Sequence, residues 1–229
     1  MLIYGKQVFF YYLNKHKDKI QEIYLAKECD KKTFALIQKS GKKITKLDFL
    51  KAQALAKGAN HQGFLALVDD YEFCDIKELK KAKNIVVLNA LSDVGNIGAI
   101  VRSAYALGFC GAICCENNVN LSAILRSSAG ALADFKLAKS QDIMSVINEF
   151  RQLGFNIICA NNSENAISHK NMQFKDKNVL ILGSEGEGLA NKIIKSCDYE
   201  VKIKMSNDFD SLNVSNAFAI LADRIINGN

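Results

Sequence analysis

Three short stretches of this 229-residue chain carry residue types that could do chemistry. Residues 92–104 read Ser-Asp-Val-Gly-Asn-Ile-Gly-Ala-Ile-Val-Arg-Ser-Ala, after a strand-like run and at the opening of a helical pattern. Gly95 and Gly98 permit a tight turn and close backbone approach, and Asn96 is placed to cap the helix. Arg102 follows Asn96 by roughly 1.7 helical turns, so that both side chains could face one pocket. Residues 179–189 take a buried strand into a glycine-rich turn that holds Gly183, Ser184, Glu185, Gly186 and Gly188. Residues 201–215 run from a strand across a polar loop to Ser211-Leu212-Asn213-Val214-Ser215, where Ser211 or Asn213 caps a final helix.

Several chemistries are excluded. The turn at 183–188 is not a phosphate loop, because no Gly-Lys-Ser/Thr follows it. Its glycines stand in the wrong order for a dinucleotide fingerprint, and no ribose-binding acid lies about twenty residues on, which argues against a dinucleotide-dependent oxidoreductase. Glu185 would sit badly against a pyrophosphate, so the turn suits a neutral or cationic ligand. The chain's three histidines, His16, His61 and His169, all lie outside these loops, which removes a hydrolytic triad. The cysteines at 29, 74, 110, 114, 115, 159 and 197 form no Cys-x-x-Cys pair and read as buried reduced thiols rather than a metal site. By pattern alone the first loop is better read as a capped strand-to-helix turn with a surface arginine, and capping is a complete explanation of Ser211 and Asn213.

The elements that must hold these loops alternate. Residues 85–91, 112–115, 155–160, 179–183 and 200–203 read as strands, with helices near 97–107, 141–153 and 187–196 between them. In the last helix Val214, Ala217, Phe218, Leu221, Ala222 and Ile225 recur at three-and-four spacing. Such alternation predicts an α/β fold with a mostly parallel sheet and ligands at the carboxyl ends of its strands. Ahead of it lies a small α/β unit, helical over 5–15 and 31–39 and strand-like over 21–26 and 63–68. The polar stretch from Asp69 to Lys83 separates the two, giving domains at 1–70 and 84–229 joined by a linker at 71–83.

Composition narrows the setting. The chain is 49% hydrophobic and 24% charged, an ordinary globular balance, and no apolar run approaches the roughly 20 residues of a membrane span. No secretory signal opens it, so a cytoplasmic protein is expected. Proline and tryptophan are absent, and lysine outnumbers arginine 26 to 4. The net charge of +6 is unevenly placed: residues 1–68 carry 13 lysines against 5 acids, while the remainder is slightly acidic. A basic first segment suits a phosphate backbone, or serves as a solvated face.

In order and spacing the three loops resemble the SpoU (TrmH-type) branch of the knotted RNA 2′-O-ribose methyltransferases. Its first motif has Asn, Gly and Arg as at Asn96, Gly98 and Arg102. Its second is the glycine turn matched at 183–188, and its third is Ser-Leu-Asn-Val-Ser, matched unchanged at 211–215. Ile3-Tyr4-Gly5 and His61-Gln62-Gly63 resemble the small L30e-like substrate-binding domain of the bacterial large-subunit rRNA guanosine methyltransferases. Many members have proline where Val94 and Lys204 stand; Lys204 puts a charge beside the expected cofactor loop.

The resemblance implies a methyltransferase domain tied in a deep trefoil knot, a homodimer whose sites are completed by both subunits, and S-adenosylmethionine as cofactor. It implies that Gly183, Ile203, Met205 and Leu212 hold the cofactor, that Asn96, Arg102, Glu185, Ser211 and Asn213 form the reactive pocket, and that Lys6, His61, Gln62 and Arg126 meet RNA. No metal and no membrane are implied. The favoured substrate is a guanosine of large-subunit rRNA; tRNA, or a non-catalytic role in ribosome assembly, is the alternative. A guanidinium holds its proton beyond a pKa of about 12, so Arg102 is better suited to grip phosphate and steady an alkoxide than to act as base.

Overall fold

The computed structural model describes residues 1–116, 119–184, 186–206 and 211–228. The chain opens with β1 (Leu2–Tyr4), α1 (Lys6–Lys15), β2 (Ile20–Leu25), α2 (Lys31–Gln38), β3 (Lys43–Lys46), α3 (Phe49–Leu55) and β4 (Phe64–Val68). These strands form a four-stranded sheet in the order β1-β4-β2-β3, with β4 antiparallel to both neighbours and β2 parallel to β3. Strand β1 escapes the sequence reading because it is only three residues long, and α3 and β3 because they are short and interrupted by lysine. Asp30 and Asp48 cap α2 and α3, accepting from the backbone N–H three residues on at 2.9 and 2.8 Å.

After a single 3-10 turn at Ile76–Leu79 come β5 (Asn84–Asn89), α4 (Val94–Leu107), β6 (Gly111–Cys115), α5 (Leu121–Ser127), β7 (Lys136–Lys139), α6 (Ile143–Gln152), β8 (Asn156–Ala160), β9 (Ile167–Ser168), β10 (Asn178–Leu182), α7 (Asn191–Ile194), β11 (Tyr199–Lys202) and α8 (Val214–Asn227). The strands form a seven-stranded sheet in the order β7-β6-β5-β10-β8-β11-β9, parallel throughout. Strand β10 inserts between two strands that precede it in the chain.

The central strands are apolar on both faces because helices cover both. Val86, Leu88, Leu180 and Leu182 point into the layer of α4, α5 and α8, while Ile85, Val87, Val179 and Ile181 point into the layer of α6 and α7. Two expectations change. The helix expected over 187–196 shrinks to α7, since the glycine turn closes on itself through a bridge between Ser184 and Gly188. Of the cysteines, only Cys114 and Cys159 are buried; Cys110 is exposed and the other four are half-buried, all as unpaired thiols.

The first unit is packed on the second rather than tethered to it. Ile3, Val8 and Phe9 share one buried cluster with Ile124 and Leu125 of α5. Across the seam Tyr11 donates to Asp134, and His16 Nε2 stands 3.0 Å from the same carboxylate. The polar stretch after β4 is sewn down as well: Tyr71 Oη donates to the carbonyl of Phe135 at 2.9 Å and accepts from Leu137 N at 3.0 Å, and Cys74 N donates to the Leu137 carbonyl at 3.0 Å.

Candidate functional site

At the carboxyl ends of β8, β10 and β11 lies a cleft of about 360 Å³, closed on one side by the first turns of α8. Parallel sheets place ligands here because their loops diverge at this edge. Its walls are mainly aliphatic (Leu182, Val201, Val214, Ala217 and Leu221) and main chain from the glycine turn. Gly183 is required by close approach: a Cβ there would stand 2.3 Å from the Gly188 carbonyl oxygen, so any side chain would force the turn open. All four expected cofactor residues, Gly183, Ile203, Met205 and Leu212, line this cleft, and Ser211 joins them. Lys204 is exposed and does not line it.

A further wall was missed by sequence reasoning. Asn161 and Asn162, in the loop after β8, line the cleft. Asn161 Nδ2 and Ser163 Oγ donate to Glu200 Oε2 at 2.8 and 2.7 Å, and Lys202 Nζ donates to the carbonyls of Ser163 and Glu164 at 2.9 and 3.0 Å. The only available signal was position, the end of a central strand; the residue types themselves are those of any polar loop.

The first and third loops meet at the side. Asn213 caps α8, its Oδ1 accepting from Ser215 N at 3.0 Å and Asn216 N at 3.4 Å, while its Nδ2 donates to Asn96 Oδ1 at 2.9 Å. Asn96 does not cap α4; Asp93 does, its Oδ1 accepting from Asn96 N at 2.7 Å, which leaves the Asn96 side chain available to Asn213. Gly98 permits the close approach expected of it, and the neighbour is α5: a Cβ there would lie 1.9 Å from Ser127 Oγ and 2.8 Å from Ser128 N, and the Ser127 hydroxyl donates to the Val94 carbonyl at 2.7 Å. Asn96, Asn213 and Arg102 stand outside the lining of the cleft, and Arg102 is exposed on α4 without a hydrogen-bond or ion-pair partner among the described residues. Glu185 lies outside the described residues.

The expected RNA-facing residues divide. Lys6, Gln62 and Arg126 meet in a depression where the first sheet abuts α5, and the Arg126 guanidinium stands 5.6 Å from the centroid of Tyr4. Gln62 Oε1 accepts from Lys6 N at 2.8 Å, satisfying the first turn of α1. His61 is buried at 3% exposure, and its Nδ1 accepts from Gly63 N at 3.1 Å. Among the described residues no group of His, Cys, Asp or Glu is arranged to hold a metal ion, and no helix is long and apolar enough to cross a membrane.

Fold and cleft define an α/β protein with a pocket of small-molecule size at the strand ends, joined to a second, basic unit. Comparison with known proteins narrows this. Residues 83–223 match the SpoU rRNA Methylase family, and residues 2–74 match the domain described as RNA 2′-O ribose methyltransferase substrate binding. A Staphylococcus aureus protein named for the TrmH family of tRNA/rRNA methyltransferases is 30% identical over 186 residues, 77% of this chain and 72% of that protein. The SpoU methyltransferase AviRb from Streptomyces viridochromogenes, solved in complex with AdoMet, superposes with a TM-score of 0.78 at 21% identity, covering 100% of this chain and 89% of that one. An AdoMet-bound rRNA methyltransferase from Sinorhizobium meliloti gives 0.77 at 17% identity, covering 98% and 85%. The chain belongs to the SpoU family of RNA methyltransferases.

Proposed function

We propose that this protein methylates the 2′-hydroxyl of a ribose in RNA, with S-adenosylmethionine as donor and a guanosine of large-subunit rRNA as the favoured target. The observation that carries the reading is the convergence of Gly183, Ile203, Met205, Ser211 and Leu212 on one cleft of small-molecule size. Aliphatic walls suit an adenine ring, and a main-chain floor supplies carbonyls and N–H groups for ribose and amino-acid polar atoms. When bound, the cofactor supplies a methyl group already activated by its sulfonium leaving group. The protein's work is then to place the hydroxyl and manage its proton.

In this reading Asn96 and Asn213 fix the acceptor ribose through the hydrogen bond that joins them, with Ser211 and Glu185 beside it. Arg102 grips the flanking phosphate and stabilises the developing alkoxide; a guanidinium is a poor base near neutral pH, and the base is unassigned. Its exposure, away from the cleft of its own chain, supports a homodimer in which it completes the partner's site. Exposed Ile220 and Ile226 on α8 offer an apolar face for that contact. The insertion of β10 between β5 and β8, followed by α8 against α4, is consistent with a trefoil knot. Residues 1–70 act as the RNA-binding domain, 71–83 as the connection and 84–229 as the catalytic domain, in the cytoplasm.

The test is calorimetric titration with S-adenosylmethionine, using NAD as control, followed by methyl transfer to rRNA and to tRNA with mapping of the modified sugar. Saturable binding of S-adenosylmethionine and 2′-O-methylguanosine in rRNA support the reading; transfer to tRNA alone moves the substrate. Absence of binding and transfer overturns it.

A further inference from the structure

The most exposed large apolar side chains among the described residues are neighbours. Phe49 is 64% exposed and Leu50 79%, both at the start of α3. Such residues are ordinarily drawn inside, and a pair left in water beside a concavity marks a contact surface. The concavity is a cleft of about 620 Å³, lined by Phe49, Lys6, Lys27, Asn60, His61 and Gln62 among others, and no acidic residue lines it. Lys6 and Lys27 are exposed and have no ion-pair partner among the described residues.

His61 adds an independent observation. Its ring lies beside that of Phe49, with centroids 5.6 Å apart and planes inclined at 45°. Because Gly63 N donates to Nδ1, the imidazole proton sits on Nε2, and that buried donor has no partner among the described residues. The buried imidazole backs the Phe49 ring from inside the domain and holds it at the wall of the cleft.

We propose that this cleft is a nucleotide subsite in which one unpaired base of the RNA stacks on Phe49. Lys6 and Lys27 hold the adjoining phosphates, and buried His61 supports the Phe49 ring from behind. The inference rests on the RNA-directed reading above and deepens it. An aromatic face recognises a base whose own face is free, which a duplex does not offer. Two lysines without acidic partners favour a polyanion over a protein surface, in keeping with 13 lysines against 5 acids in residues 1–68.

The experiment is fluorescence anisotropy of the full chain with a labelled single-stranded RNA of about 12 nucleotides, alongside the same sequence as a duplex. Phe49→Ala is expected to weaken single-strand binding about tenfold and Phe49→Trp to retain it, since stacking on an aromatic carries the effect. Lys27→Ala should lower the slope of log affinity against log salt by about 1. S-adenosylmethionine binding, measured by calorimetry, should be unchanged in all three. Unchanged RNA affinity in Phe49→Ala, failure of Phe49→Trp to retain binding, or equal preference for the duplex would overturn the subsite. If the unaltered chain methylates RNA while Phe49→Ala does so at the same KM, the subsite falls and the methyltransferase reading stands. If the unaltered chain neither binds nor methylates RNA, both fall.

Discussion

The cleft at the ends of β8, β10 and β11 combines glycine-turn main chain and aliphatic side chains with the wall at Asn161 and Asn162, whereas the cleft beside α3 sets two lysines and the amides of Gln53, Asn60 and Gln62 around an exposed ring. Strand ends and a turn bridged between Ser184 and Gly188 wall the first, while the second carries its cations on flexible stems. A cradle with main chain in its wall suits a ligand that is the same at every turnover. A ring flanked by mobile charges suits one stretch of a polymer whose exact path varies. Damage should therefore be abrupt in the one and graded in the other.

The sharpest effect is expected from a residue that lines neither. Arg102→Lys keeps the charge but loses the planar fork, and should lower turnover by on the order of a hundredfold or more while S-adenosylmethionine affinity holds. Near-normal turnover in single-turnover assays would defeat the bidentate role. Gly183→Ala should come next. Its Cβ would meet the Gly188 carbonyl oxygen at 2.3 Å, an overpacking of about 1–3 kcal/mol that should weaken cofactor binding roughly ten- to a hundredfold and leave single-stranded RNA binding intact. Equal loss of both ligands would erase the contrast between the clefts.

Asn213→Ala removes both the cap of α8 and the link to Asn96. A lost cap costs about 1 kcal/mol, visible as a melting-temperature drop of about 2–4 °C, and turnover should fall further than stability explains. The smallest effect concerns the seam. Burial alone would raise the Asp134 carboxyl, but hydrogen bonds from Tyr11 and His16 outweigh it and hold it below the usual carboxylate range. Its contribution to stability is present above the unfolded value of about 3.9 and lost as pH falls through the lower folded value. Melting curves of Asp134→Asn should accordingly lie below those of the unaltered chain near neutrality and converge with them in acid.

Much of the catalytic half was legible because buried parallel strands are written as uninterrupted apolar runs. Ile85 to Leu88 and Val179 to Leu182 could be little else. The last helix was equally plain from its spacing, and Asn213 was one of two candidate caps. What failed was short or depended on geometry. Helix α7 was overdrawn because a glycine turn and a helix start share polar, small residues. Asn96 looked like a cap because the competing Asp93, three residues earlier, is just as good by type. The wall at Asn161 carried no distinctive residue, and the exposure of Phe49 cannot be told from sequence, where a phenylalanine beside Leu50 reads as core. Gly98 was marked for close backbone approach, which holds, but the partner could not be read from sequence because it comes from α5, about thirty residues away in the chain.

The strap between the two units has a consequence for substrate choice. Tyr71 is held by two main-chain groups around β7, and Cys74 pairs with the same strand, so the span between the exposed ring and the strand-end cleft is set by covalent and hydrogen-bonded structure rather than by a loose tether. Two grips at a constant separation act as a gauge. On the proposed reading, an RNA whose extruded base and target sugar lie at the matching interval engages both at once, and one folded to another interval must forgo a grip. Selection among RNAs then follows from measured length and shape as much as from the identity of any base.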